Sequence, residues 1–167
     1  MSKEPEKFVL EKRIWTDKDY DKMSWHDVII HAIALNHYRR GEWFSTVSEL
    51  MFDIDYILKC VLMPDKHYSC WVAPATLLFN NVTDLKINDN SGNGDWEIQD
   101  DIYREKVEPN DPPTWLWKIM SEEIAFKSTG FSQYIRRDPT FQGARSFTVR
   151  QRGGISFETQ VQREFET

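Results

Sequence analysis

Two pairs of residues could do chemistry: His26 next to Asp27, and Asp53 one residue away from Asp55. An imidazole nitrogen beside a carboxylate is a donor set that a hydrolytic divalent metal accepts, and metal-dependent phosphohydrolases carry such a dipeptide. Those enzymes place it on helices and add distant His and Asp ligands, whereas this chain has four histidines in all. His26 and His31 would point to opposite faces of a strand, which removes a shared metal. His26 and Asp27 therefore read as a structural hydrogen-bonded pair where a loop enters a sheet. Asp53-x-Asp55 has the spacing of a metal-binding motif in nucleotide-sugar transferases. No glycine-rich α/β nucleotide fold surrounds it, and two carboxylates on one strand face are ordinarily its solvated face. Nucleophilic catalysis has less support still. Only His67 lies near a cysteine (Cys70), no GxSxG or phosphate-cradling loop occurs, and Gly92-Asn93-Gly94 and Gly153-Gly154 suit turns. No catalytic residue, metal or cofactor is assigned.

The elements that must position these groups are mostly strands. Residues 7–14 read as a short strand, followed by a polar approach through Asp17, Asp19 and Asp21. From Trp25 to Asn36 the pattern is ambiguous. Ser24-x-x-Asp27 could cap a helix, but Val28-Ile29-Ile30 is β-branched, and the segment is read as a strand buried on both faces. Phe52 to Leu58 alternates with period two, Met63-Pro64-Asp65-Lys66 is a turn, and Cys70 to Phe79 is a second run, so the two form a hairpin. Keeping Phe52, Ile54 and Leu58 on the face of Trp71, Ala73, Leu77 and Phe79 needs paired numbers with an odd sum. That register puts Cys60 and Cys70 on opposite faces, forbids a disulfide and predicts two free thiols. Val82 to Ile87 is a shorter strand; Trp96, Ile98, Ile102 and Tyr103 lie on one bulged strand. Trp115 to Ile119, Ile124 to Phe126 and Phe131 to Ile135 follow. At the C-terminus, Ser146–Gln151 and Ile155–Val161 are expected to form a hairpin across a three-residue loop, Val149 opposite Phe157 and Gly154 left-handed. The expected fold is a single domain over residues 1–167, mainly β, an antiparallel sandwich or strongly curved sheet with little helix, with residues 1–7 flexible.

Composition bounds the rest. The chain of 167 residues has 40% hydrophobic and 14% aromatic residues, enough for a sizeable core. Its start has no apolar signal-peptide core, and its longest apolar run falls far short of the ~18 residues of a membrane span. With two cysteines and no disulfide framework, the expected compartment is the cytoplasm. The net charge of −6 is unevenly spread. Residues 81–112 hold nine carboxylates against three cations, and residues 127–152 hold Lys127, Arg136, Arg137, Arg145, Arg150 and Arg152 against Asp138 alone. The acidic total disfavours nucleic acid. The simplest arrangement has the two segments facing each other across a sheet and neutralising.

Several stretches read together as a family pattern: Met23-Ser24-Trp25-His26-Asp27, Phe52-Asp53-Ile54-Asp55-Tyr56, Val72-Ala73-Pro74-Ala75-Thr76-Leu77, Phe79-Asn80-Asn81-Val82-Thr83-Asp84-Leu85 and Thr129 to Arg137. They resemble a family of uncharacterised bacterial proteins with a Trp-His-Asp motif. More distantly, the plan is similar to β-rich immunity proteins of polymorphic toxin systems, in which a His-Asp dipeptide enters the first long strand and a Phe-x-x-Val-x-x-Leu segment follows, here Phe79, Val82 and Leu85. That resemblance implies a non-enzymatic protein that binds and blocks a basic, toxin-like partner. The acidic residues Asp95, Glu97, Asp100, Asp101 and Glu105 are the expected partner-binding surface. The alternative is a small metal-assisted hydrolase using His26, Asp27, Asp53 and Asp55. Oligomeric state is not legible.

Overall fold

A computed structural model describes residues 7–40, 45–89 and 94–159. Eleven strands occur among them: β1 (Ile14–Thr16), β2 (Val28–Arg40), β3 (Ser45–Leu62), β4 (Tyr68–Asn80), β5 (Thr83–Ile87), β6 (Glu97–Ile98), β7 (Tyr103–Glu108), β8 (Thr114–Ile119), β9 (Ile124–Ser128), β10 (Gly130–Ile135) and β11 (Thr140–Gln142). They form two antiparallel sheets. The first, a strongly curled half-barrel, has the order β1-β10-β4-β3-β2-β6 with β11 also on β4; the second has the order β5-β9-β8-β7. The protein is therefore mainly β, as its alternating patterns require. A 3-10 helix, Asp17–Lys22, and one α-helical turn, α1 (Val149–Arg152), are the helices among the described residues. No helix of the described residues is long and apolar enough to cross a membrane.

The core lies between the sheets. Leu50, Phe52 and Ile54 of β3, Leu77 and Phe79 of β4, and Phe131 of β10 face Trp117, Ile119, Ile124 and Phe126 of β8 and β9, all essentially inaccessible to solvent. Phe79 stands edge-on to Phe126 at 4.7 Å and to Trp117 at 5.0 Å between ring centroids, a geometry that adds to area burial through the ring quadrupoles. Trp25 enters the same core, its indole Nε1 donating to Gln133 Oε1 at 2.8 Å.

Five expectations of local structure are corrected. Residues 7–13 are irregular, and the first strand is only Ile14–Thr16, set beside β10. β2 is a strand, but Val28 and Ile30 are buried while Ile29 and residues 31–34 are partly exposed and 35–39 exposed, so one face is covered rather than two. Ile98 and Tyr103 lie on different sheets, β6 beside β2 and β7 beside β8, because Asp101 turns the chain between them. The β3–β4 register has the odd sum from Glu49↔Asn80 to Ile57↔Val72, then a bulge at Leu58 shifts it by one. Past the bulge Cys60 lies opposite Cys70, and the two form a disulfide. An inserted residue reverses which side chains share a face, and strict period-two alternation contains no such insertion. Finally, the C-terminal hairpin does not form: Val149 to Arg152 is α1, and Val149 does not pair with Phe157. Thr148 and Gln151 make a capping box, with Thr148 Oγ1 accepting from the Gln151 amide and Gln151 Oε1 from the Thr148 amide. Gly153 and Gly154 then both take positive φ and end the turn. Val161 lies outside the described residues.

Candidate functional site

Asp53 and Asp55 point away from the aromatic core, as alternation on β3 dictates, yet both are fully buried. The cover is a strap of residues 145–156 laid over the outer face of the half-barrel. Arg152 reaches down from α1 and forks onto Asp53, with Nη1 to Oδ2 and Nη2 to Oδ1 both at 2.7 Å, and touches Asp55 Oδ1 at 3.2 Å. Arg136, just past β10, donates to Asp53 Oδ1 at 2.7 Å, to Thr76 Oγ1 and to the carbonyl of Ser156. The amides of Ser156 and Phe147 donate to Asp53 Oδ2 and Asp55 Oδ2, and His31 Nε2 contacts Asp55 Oδ2 at 2.7 Å. Two carboxylates thus meet two guanidiniums, with no unbalanced formal charge among these four groups. Burial alone would raise the Asp53 pKa, but the hydrogen bonds from Arg152, Arg136 and the Ser156 amide outweigh it and hold the carboxyl below its usual range. Burial would likewise lower Arg152, and the two carboxylates more than reverse this.

These two carboxylates are therefore not a solvated strand face. Arg136 and Arg152 occupy the positions from which a cation would bind them, and His26 and Asp27 are engaged elsewhere. His26 Nδ1 lies 3.0 Å from Asp27 Oδ2, which also meets Arg145. Asp27 has φ +64°, a left-handed conformation that Asp tolerates better than most residues, at the turn where the chain enters β2. Among the described residues no group of three or more His, Cys, Asp or Glu is arranged to hold a metal ion. Arg152, Arg136, His31, Thr76 and Ser156 were missed from sequence. The available signal was Val72 to Phe79, apolar on both faces, which requires both sides of the sheet to be covered and hence the adjacent Asp53 and Asp55 to find counter-ions.

The acidic residues fall into two groups. Asp101 is a structural cap: Oδ1 accepts from the amides of Trp25 and Ile102, each at 2.8 Å, and Oδ2 from Ser24 Oγ at 3.0 Å. Asp95, Glu97 and Asp100 instead line a recess of about 380 Å³ together with Glu123, beside the turn joining β8 to β9. Glu105 is exposed on β7, an edge strand of the second sheet. Among the described residues Asp95, Glu97, Asp100, Glu105 and Glu123 form no ion pair, and Asp100 Oδ1 is shielded from solvent with no hydrogen-bond donor. The expected neutralisation by the basic stretch does not occur here. Arg136 and Arg152 serve Asp53 and Asp55, Arg145 serves Asp27, and Lys127 crosses to the acidic segment to meet Asp84 at 3.2 Å. The turn beside the recess is unusual: Met120, Ser121 and Glu122 have φ of +56°, +53° and +71° in succession.

Fold and site together define a mainly antiparallel β protein of two packed sheets, with a buried ion network on one side and an acidic recess elsewhere. Comparison with protein-family models, with curated proteins and with solved structures finds no match.

Proposed function

We propose that this chain is a non-enzymatic binding protein that docks a basic protein partner at the acidic recess lined by Asp95, Glu97, Asp100 and Glu123. The observation that carries this reading is the placement of the arginines. Arg136, Arg145 and Arg152 are engaged by Asp53, Asp27 and Asp55, Arg137 lies over Phe147, and no ion pair among the described residues reaches the recess carboxylates. Uncompensated carboxylates around a concavity focus a negative field, which attracts a cationic surface and raises its encounter rate. The left-handed run at Met120–Glu122 supports the same location, since each non-glycine residue held there costs on the order of 1–3 kcal/mol and such strain gathers at functional sites. The family resemblance suggests a bacterial setting and a basic toxin as the partner, neutralised by occlusion rather than by chemistry. Asp101 belongs to the fold in this reading, and Glu105 to the rim.

Polylysine is a sufficient first probe. Asp95→Lys, Asp100→Lys and Glu123→Lys combined are expected to weaken its binding at low salt by about tenfold or more. The same number of reversals at Glu11, Asp65 and Glu158, outside the recess, is expected to weaken it much less. Equal losses in the two triple variants would show that total charge alone attracts the polymer, and the recess would lose its claim.

A further inference from the structure

The Cys60–Cys70 disulfide stands at the root of the strap. Cys70 pairs with Gln142 of β11, and the Gln142 side-chain amide donates to the carbonyls of Ala144 and Ser146, shaping the turn that leads into the strap. Cys70 is fully buried and packs with Val72 and Phe147, the strap's one deeply buried apolar residue. Beyond Phe147 the strap is held by polar bonds to Asp53 and Asp55. Its apolar anchor thus rests beside the disulfide. Cys60, in contrast, is exposed, on a stretch of β3 past the last residue that β2 covers, Asp55. Cys60 is thus the exposed half of the bond and Cys70 the buried half, and a solvent thiol approaches from the Cys60 side.

We infer that the Cys60–Cys70 bond is a redox-sensitive latch that holds the strap over Asp53 and Asp55, and that a small dithiol reductant releases it. One thiolate of the dithiol attacks Cys60 Sγ; the S–S bond breaks and its electron pair leaves with Cys70 as a thiolate, which then takes a proton. The second thiolate of the reagent closes onto its own bound sulfur, freeing Cys60 and forming a cyclic disulfide, so two electrons pass from reagent to protein. Two unbonded sulfurs need about 3.5–4 Å where the bond needed about 2 Å. The ladder fixes the backbones of β3 and β4, so the extra room is taken toward Phe147. Phe147 lifts, its amide leaves Asp55 Oδ2, and Arg152 follows. The opened state is tolerable because Arg136 stays with Asp53 and His31 with Asp55, both on the body of the sheet. This latch is independent of the docking reading above.

Hydrogen exchange on the full chain tests it, in the oxidised form, after dithiothreitol, and in Cys60→Ser. The Phe147 and Ser156 amides are expected to exchange about tenfold faster or more in the last two, with β8 unchanged. Trypsin cleavage after the buried Arg152 should accelerate in parallel. Unchanged exchange at Phe147 and Ser156 in both reduced forms overturns the latch. So does an equal acceleration in β8, which means general loosening, and so does a disulfide that yields no titratable thiol while the protein remains folded.

Discussion

Asp53 and Arg152 show how a single ion pair can decide whether a segment is part of the fold. Both side chains are almost completely dehydrated, so their attraction must offset the loss of two hydration shells, and it does so only with every lone pair matched. Deleting one of the two by mutation leaves the buried network of two carboxylates and two guanidiniums one charge out of balance. Asp53→Asn and Arg152→Met are each expected to cost about 3–5 kcal/mol, measured by urea unfolding, and a loss under ~1 kcal/mol in both would mean the network is wetter than its geometry implies. The pH dependence has a definite sign. The Asp53 carboxyl is lowered in the folded state, so its contribution is complete above the unfolded range, near about pH 4, and disappears as pH falls through the folded value. Wild-type stability should therefore fall more steeply below that range than that of Asp53→Asn. Asp27 is a milder case: its carboxylate is partly exposed, and its φ is left-handed. Asp27→Ala should cost about 1–2 kcal/mol, mainly through the added backbone strain, because Arg145 and His26 are exposed enough to rehydrate. Asp27→Asn, which keeps a side-chain acceptor and tolerates that φ, should cost less.

At the scale of elements, what period-two alternation could specify was legible, and what an irregularity decided was not. The β3–β4 hairpin, the strands at Trp115, Ile124 and Phe131, and the odd-sum register over most of the hairpin follow from which residues must share the core face. The bulge at Leu58 carries no such mark, because partly exposed Ile57 and Leu58 fit either face, and it reverses the prediction for the cysteines. The outcome now expected is that no thiol reacts after unfolding without reductant and that both react after reduction; two reactive thiols in the unreduced chain would restore the unbulged register. The C-terminal segment failed for another reason. Its apolar residues fit a hairpin, but Thr148-x-x-Gln151 closes a capping box and Arg152 has two buried carboxylates to meet, a tertiary demand that local pattern does not contain. The candidate site was legible by residue type only. Asp53, Asp55 and the basic stretch were visible as separate features, and nothing in their spacing of roughly a hundred residues announced that they join.

For the whole molecule, the uneven charge of the sequence resolves into two populations of carboxylate that mutation can separate. Asp53, Asp55 and Asp101 are tied into hydrogen bonds, whereas Asp95, Asp100 and Glu123 stand around a recess with no ion pair among the described residues. Like charges gathered without counter-ions repel, so the folded protein is slightly less stable for carrying them, a cost that makes sense if a partner supplies the missing cations. Reversal at Asp95 and Glu123 should accordingly leave the melting temperature unchanged or raise it, the gain being largest at low salt and fading as the Debye length shrinks. Asp101→Lys should lower it, since Trp25, Ser24 and Ile102 lose their shared acceptor. With a basic protein partner in hand, the recess variants should associate more slowly, by about one to two orders of magnitude at low salt, with dissociation less affected and the salt dependence flattened. Thermal melting of Asp95→Lys with Glu123→Lys across a salt series needs no partner and is decisive for the premise. If that variant melts well below the parent at every salt concentration, the recess carboxylates are held by the fold as Asp101 is, and they are not a surface kept charged for another protein.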